Sequence, residues 1–479
     1  MIYNSFQFIW LFPIIFIGYY AIVKIAGRRG PEMQRKVGNV VLLVASYLLF
    51  AQWNAAYTLL LFAVTAVTYV TALLIDDRKP YARRGLVFLS GIVLATAPLL
   101  VFKYYNFIIG QWNDLMSALH VTTHLPGLNW AIPIGISFFT LQSIGYLIDV
   151  YKQRFKAERN WLDYMLFVAF FPQIMSGPIS KARDLLPQIK SRRVIDGEKL
   201  SQGLRWFMWG LFLKVVMADR LGLYVDQIFG SYQLNSGTSC LAAAIGYSFQ
   251  IYGDFAGYSL MAMGVGRLLG FNLINNFRQP YLSVSITDFW RRWHISLSTW
   301  LKDNIYIPLG GSRCSRLKNY WNIFATFLVS GIWHGANWTY IVWGGLHGLF
   351  QVVEKFFGLN KAVSTSRVVN ALRIAVTFSL VTIAWIVFRM PTIDDGIAVI
   401  VRIFTDCGAL YIPTKTMALF SLMSVGIVIA VDVVREYYLC FMSRVLSCTV
   451  VRWLVYVVLS VIILLCGVFD SGQFIYVNF

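Results

Sequence analysis

SGIWHGANWTYIVWGGLHG, from Ser330 to Gly348, carries His334 and His347 inside a run apolar enough to cross a bilayer. Titratable residues at membrane depth are costly, about 2.5–3.5 kcal/mol for an Asp or Arg on insertion scales, and they mark pathways or reaction sites. A second string, DFWRRWHISLSTW from Asp288 to Trp300, sets His294 among cations and indoles. The whole chain has only five histidines, so their placement in two such strings points to chemistry within a membrane.

Outward from these strings the same apolar character persists. Of 479 residues, 58% are hydrophobic and 13% charged, against roughly 25% charged in soluble domains. Runs of spanning length recur from 6–26 to 451–469, roughly eleven to thirteen of them. The expectation is an all-α polytopic membrane protein forming one embedded domain over 1–479, with N-terminal spans at 1–130, a core at 131–354 and C-terminal spans at 355–479. The run from Trp161 to Ile179 contains Pro172, Gly177 and Pro178 between two basic loops. It reads as a re-entrant segment, because broken backbone at that depth survives only when buried in protein or lining a cavity.

The formal charge of +19 does not indicate nucleic acid. The cations gather in short loops, as the positive-inside rule expects: Lys24, Arg28, Arg29, Arg35 and Lys36 in one, Arg78, Lys79, Arg83 and Arg84 in the next. Between the two loops an uncharged Gln52-Trp53-Asn54 turn joins two apolar runs. With both loops cytoplasmic, this hairpin reaches the outer face and the N-terminus lies outside. The first run is not expected to be a cleaved signal peptide, because its positive charges follow the apolar stretch. Six scattered cysteines without a C-x-x-C pair indicate neither a disulfide framework nor a zinc site.

His334 lies sixteen residues after Lys318, which at about 1.5 Å per residue puts it at or beyond the midplane of a vertical helix. Asn337 and Trp338 follow at i+3 and i+4 and would share its face. A neutral imidazole there could take a proton from an incoming hydroxyl; it could equally be a histidine hydrogen-bonded between helices. His347, about 220° further round a continuous helix, reads as a packed or interfacial residue. No ligand pair at helical spacing accompanies the histidines, so no metal is expected. Arg291, Arg292 and Lys302 admit two readings: snorkelling anchors, or a collar for an anionic donor. Asp288, like Asp149 and Asp254, could orient a histidine, pair with a cation or cap a helix. The absence of an internal repeat weighs against a transporter using the histidines as a proton relay.

IPIGISFFTLQSIGYLIDVY (Ile132 to Tyr151), FVAFFPQIMSGPI (Phe167 to Ile179), YSFQIYGDFAGYS (Tyr247 to Ser259), DFWRRWHISLSTWLKDNIYIPLGG (Asp288 to Gly311) and SGIWHGANWTYIVWGGLHG occur in that order. In them the chain resembles the membrane-bound O-acyltransferase superfamily, and within it the alginate O-acetylase-like bacterial branch. Leu260 stands where that branch usually has an aspartate, and Gly253 where an aromatic is expected, which bears on donor or acceptor details. The aromatic ending QFIYVNF is similar to that of the alginate type.

The resemblance implies a ring of tilted helices about a thin central region, with a cytoplasmic funnel for the acyl donor and an outer cavity for the acceptor. It implies that His334 is the catalytic base in the core at 131–354 and that His294 is the second motif histidine. Asn337, Trp338, Arg291, Arg292, Trp293, Asp288, Trp300 and Lys302 would shape the substrate and donor sites. The implied reaction moves an acyl group, acetyl first, from a cytoplasmic thioester to a hydroxyl of an exported or cell-envelope polysaccharide. D-alanyl transfer to teichoic acid is the alternative within the family. No cofactor would be permanently bound; acetyl-CoA or acyl carrier protein would serve as co-substrate. The expected partners are membrane lipids, the polysaccharide acceptor, a periplasmic acyl-relay protein and a cytoplasmic carrier protein, at the bacterial inner membrane.

Overall fold

The computed structural model describes residues 3–76, 81–174, 177–194, 196–361 and 364–469, and among these every regular element is helical. Arg78 and Lys79 of the second basic loop, and the QFIYVNF ending, lie outside the described residues. The chain folds as two compact units, Met1–Arg205 with Ala262–Ile274, and Trp206–Met261 with Asn275–Phe479. Residues 131–205 belong with the N-terminal helices because the helix at Ile136–Tyr151 packs against those at Ala55–Asp76 and Tyr81–Leu99.

In the first unit, α1 (Phe6–Gly27) is capped by the Ser5 hydroxyl, which accepts from Phe8 N. Gly30, at φ 112°, turns the chain into α2 (Pro31–Ala51), whose Pro31 needs no N–H partner at the first helical position. The anticipated hairpin follows: α2 and α3 (Ala55–Asp76) pack together across the uncharged turn. Next come α4 (Tyr81–Leu99), α5 (Tyr105–Ala118), α6 (Ile136–Tyr151), α7 (Trp161–Ala169), α8 (Phe171–Ile174), α9 (Ala182–Lys190) and the first part of α10 (Gly197–Leu211), which crosses into the second unit at Trp206. The break expected within Trp161–Ile179 is present, since the helix stops at Ala169 and resumes for a single turn. Ser46 Oγ accepts from Phe171 N at 3.1 Å, and Tyr3 OH donates to Pro172 O at 2.9 Å. Such side chains supply the partners that an interrupted helix lacks.

One buried cluster in this unit pairs its charges. Asp163 accepts from Arg35 at 3.0 Å and from Asn39 at 2.7 Å, and Arg193 donates to Tyr19 OH at 2.8 Å and to Asn39. Arg35, read from sequence only as a loop cation, is thus an anchor for α7.

The second unit contains α11 (Asp219–Gly230), most of α12 (Gly237–Leu268), α13 (Ile286–Arg292), α14 (Ile295–Leu301), α15 (Arg316–His334), α16 (Trp338–Phe356), α17 (Arg367–Arg389), α18 (Ile393–Thr405), α19 (Lys415–Tyr437), α20 (Leu439–Ser447) and α21 (Thr449–Cys466). Across the described residues six helices are long and apolar enough to span a membrane by length and composition: Gln7–Gly27, Ala55–Asp76, Arg83–Ala118, Arg367–Arg389, Lys415–Tyr437 and Thr449–Cys466. The sequence suggested more, because apolar runs such as that of α15 and α16 count toward it. Those two helices turn Asn319, Asn322 and Glu354 inward.

Candidate active site

The site is built on the hairpin of α15 and α16, whose close approach is made by glycine. A Cβ on Gly331 would lie 2.3 Å from Tyr340 O, and one on Gly344 would lie 2.4 Å from Phe327 O. Small residues that let backbones touch are the usual device for packing helices in lipid. At the hairpin tip α15 ends on His334 and Gly335 is extended. Asn337 then caps α16, its Oδ1 accepting from Thr339 N at 3.1 Å while its Nδ2 donates to Pro391 O at 3.0 Å. Asn337 and Trp338 therefore do not continue the face of His334. The i+3 and i+4 expectation assumed an unbroken helix, and the helix stops at the histidine itself.

His334 is buried, and its Nδ1 lies 2.6 Å from Ser330 O. A carbonyl can only accept, so Nδ1 carries the proton and the neutral ring has its lone pair on Nε2. Indoles flank the ring on both sides, Trp333 at 4.9 Å and Trp343 at 4.8 Å between centroids.

Beyond Trp333, at 6.0 Å, stands the fully buried His294, edge-on to Phe255 at 4.6 Å. Its backbone is left-handed, φ 44° and ψ 53°, between α13 and α14. A non-glycine residue in a sparsely populated region costs of order 1–3 kcal/mol and persists only where its surroundings dictate it. Here Asn276 does so: its backbone O accepts from Ile295 N at 3.0 Å and its Oδ1 from Ser296 N at 3.1 Å. Beyond Trp343, at 5.0 Å, stands His347. Histidine and tryptophan thus alternate in one string: His294, Trp333, His334, Trp343, His347.

A cavity of about 440 Å³ is lined among others by Trp290, Arg291, Lys302, Phe327, Ser330 and Lys355, and it meets this string through Ser330 and Trp290 rather than through the rings of the string themselves. Ser330, whose carbonyl holds His334, and cations contributed by α13, α16 and the stretch after α14 therefore belong to one space. Glu354 fixes α13 to the hairpin: its carboxylate accepts from Ile286 N at 2.9 Å and Thr287 N at 3.0 Å.

The MBOAT family model, described as the membrane-bound O-acyltransferase family, matches residues 3–390. The chain belongs to the membrane-bound O-acyltransferase family. It is a multi-pass membrane acyltransferase, which supersedes the transporter reading. It is 40% identical over 401 residues to the protein named probable alginate O-acetylase AlgI of Pseudomonas aeruginosa, covering 82% of this chain and 73% of that one. It is 34% identical over 427 residues to the peptidoglycan O-acetyltransferase of Helicobacter pylori, covering 84% and 79%. With the teichoic acid D-alanyltransferase of Bacillus subtilis it shares 25% identity over 399 residues, covering 81% and 97%.

Within this O-acyltransferase the residues picked out from sequence separate. His334 and His294 both contact Trp333, at 4.9 Å and 6.0 Å between ring centroids. Arg291 and Lys302 line the cavity. Arg292 is not among the lining residues; it is bound to Asp288 at 3.0 Å and to Glu436 at 2.9 Å. Trp293 is core, stacked on Phe289 at 5.4 Å and 5.2 Å from Trp385. Trp300 is half-buried on α14 and outside the cavity lining, while Trp338 is about half exposed at the start of α16. Sequence reasoning did not single out Asn276, Glu354 and Lys355, and it read His347 as a packed or interfacial residue, in keeping with its full burial. For its place near His334 a signal existed: Trp343 and His347 are an i, i+4 pair, so a turn at Gly335 would fold both back against His334. Among the described residues no three His, Cys, Asp or Glu side chains are placed to hold a metal ion.

Proposed function

We propose that this acyltransferase moves an acetyl group from a cytoplasmic thioester to a hydroxyl of an exported or cell-envelope polysaccharide, directly or through a periplasmic acyl-relay protein. The observation that carries the reading is the contact between His334 Nδ1 and the Ser330 carbonyl. With Nδ1–H committed to Ser330 O at 2.6 Å, Nε2 is the atom able to receive the acceptor's proton.

The acceptor oxygen adds to the thioester carbonyl carbon as its proton passes to Nε2. The C–S bond then breaks, and the proton leaves with sulfur as a thiol, restoring His334. General-base action of this kind supplies about 10²–10⁴-fold, and alignment of donor and acceptor supplies much of the rest. Arg291, Lys302 and Lys355, at the cavity with Ser330, suit the anionic portion of acetyl-CoA or of a carrier protein's prosthetic arm. His294 positions Trp333 against His334. The protein holds no permanent cofactor in this scheme and resides in the cytoplasmic membrane with its N-terminus outside.

Acetyl is favoured because the relatives named as O-acetylating share 34–41% identity, against 25% for the Bacillus subtilis D-alanyltransferase. The D-alanyl reading stays as the second choice, since the match covers 97% of the Bacillus subtilis protein. Mild alkali releases ester-linked groups from envelope glycans. Acetate that appears only in cells making the protein supports the proposal; D-alanine in its place selects the second reading; neither contradicts both.

A further inference from the structure

Resting on this reading of the donor, we infer that His347 is a positioning residue: it holds the Trp290 indole as a fixed wall for the donor's thioester-bearing arm. Trp290 Nε1–H donates to His347 Nδ1 at 3.2 Å. The bond leaves the His347 proton on Nε2, so this imidazole serves Trp290 as an acceptor. His347 is fully buried, with ring centroids of Trp290 and Trp343 each at 5.0 Å and Phe350 at 6.0 Å. Burying an imidazole in such a cage is costly where phenylalanine or leucine would pack, unless its hydrogen bond is needed.

What that bond controls is visible in the cavity. Trp290 lines it together with Phe327, and the two rings meet edge to face at 5.1 Å. Phe327 precedes His334 by seven residues on α15, which is about 10 Å along the helix. An acyl carbonyl held at His334 would therefore trail its linear thiol arm past the Trp290–Phe327 layer toward the cations. A loose indole there would misplace the arm without touching the base. Acetyl-CoA and an acylated carrier protein present the same pantetheine chemistry at this point, so the inference covers both.

The experiment uses cytoplasmic-face-out membrane vesicles containing the protein and their own glycan acceptor, with turnover read as free thiol. Three donors are compared: acetyl-CoA, acetyl-loaded carrier protein, and acetyl-N-acetylcysteamine, which lacks most of the arm. For whichever full-arm donor the wild type uses, His347→Leu is expected to raise KM about 3–10-fold, the scale of one lost hydrogen bond. The change in kcat should be smaller, and KM for the truncated donor should be unmoved. His347→Asn keeps an acceptor near the Nδ1 position and should restore KM. Trp290→Phe removes the N–H donor together with the pyrrole portion of the ring and should likewise raise KM for the full-arm donor alone, which preserves the test if His347→Leu folds poorly. Equal KM changes for full-arm and truncated donors, or none for either, would overturn the inference while leaving the proposed function intact. A wild type that uses no thioester contradicts the proposed function, and the inference with it.

Discussion

Two buried polar clusters, one in each unit, handle the same problem differently. Around Asp163 in the first unit, charge meets charge: Arg35 and Asn39 bind the carboxylate, and Arg193 joins through Asn39 and Tyr19. Around His334 in the second, histidines contact indoles, and the central ring takes its orientation from a backbone carbonyl. A matched ion cluster fixes helices but is chemically spent. A ring whose tautomer is set by the backbone keeps a basic nitrogen for chemistry. On the proposed function, the first cluster holds the fold and the second carries the chemistry.

The sharpest way to break that distinction is to remove Asp163. Asp163→Leu leaves Arg35 without its buried partner, and breaking such a pair costs about 3–5 kcal/mol. Yield and thermal midpoint in detergent should fall, while turnover per folded molecule stays at the wild-type level; a selective loss of turnover would give this cluster a catalytic role. A smaller effect is expected in the second unit from Gly344→Ala, whose Cβ would meet Phe327 O at 2.4 Å. Overpacking of this kind costs about 1–3 kcal/mol. Because the strain falls between His334 and its supporting helix, turnover should drop more than stability does, and thermal melting beside an activity assay checks the order. Smallest of the three, Glu354→Gln weakens the cap on α13 by about 0.5–2 kcal/mol, and a melt should show a modest shift with donor KM raised.

Much of this division was legible in the sequence. The two histidine strings, the broken run before Ile179 and the hairpin around Trp53 could be located because hydropathy and Pro/Gly punctuation are local signals. What escaped depended on where a helix stops. Reading Ser330–Gly348 as one helix put His347 about 220° from His334 and placed Asn337 and Trp338 beside it. The break at Gly335 changes that geometry: His347 contacts Trp343, which in turn contacts His334, and Asn337 becomes the cap of the next helix. Arg292 was grouped with Arg291 because the two are neighbours, yet its acid partner Glu436 is distant in sequence and could not be foreseen. Asn276 and Glu354 likewise act through backbone N–H groups far along the chain, contacts that no periodicity announces.

The most direct measurement compares ester-bound acetate in envelope glycans from cells making wild-type protein and His334→Ala at equal membrane levels. The account predicts a loss of about 10²–10⁴-fold in transfer rate, leaving acetate at the level of cells without the protein, with the melting temperature of the purified variant near that of the wild type. Acetylation persisting at a near-normal rate in the folded variant would contradict a general-base role for His334.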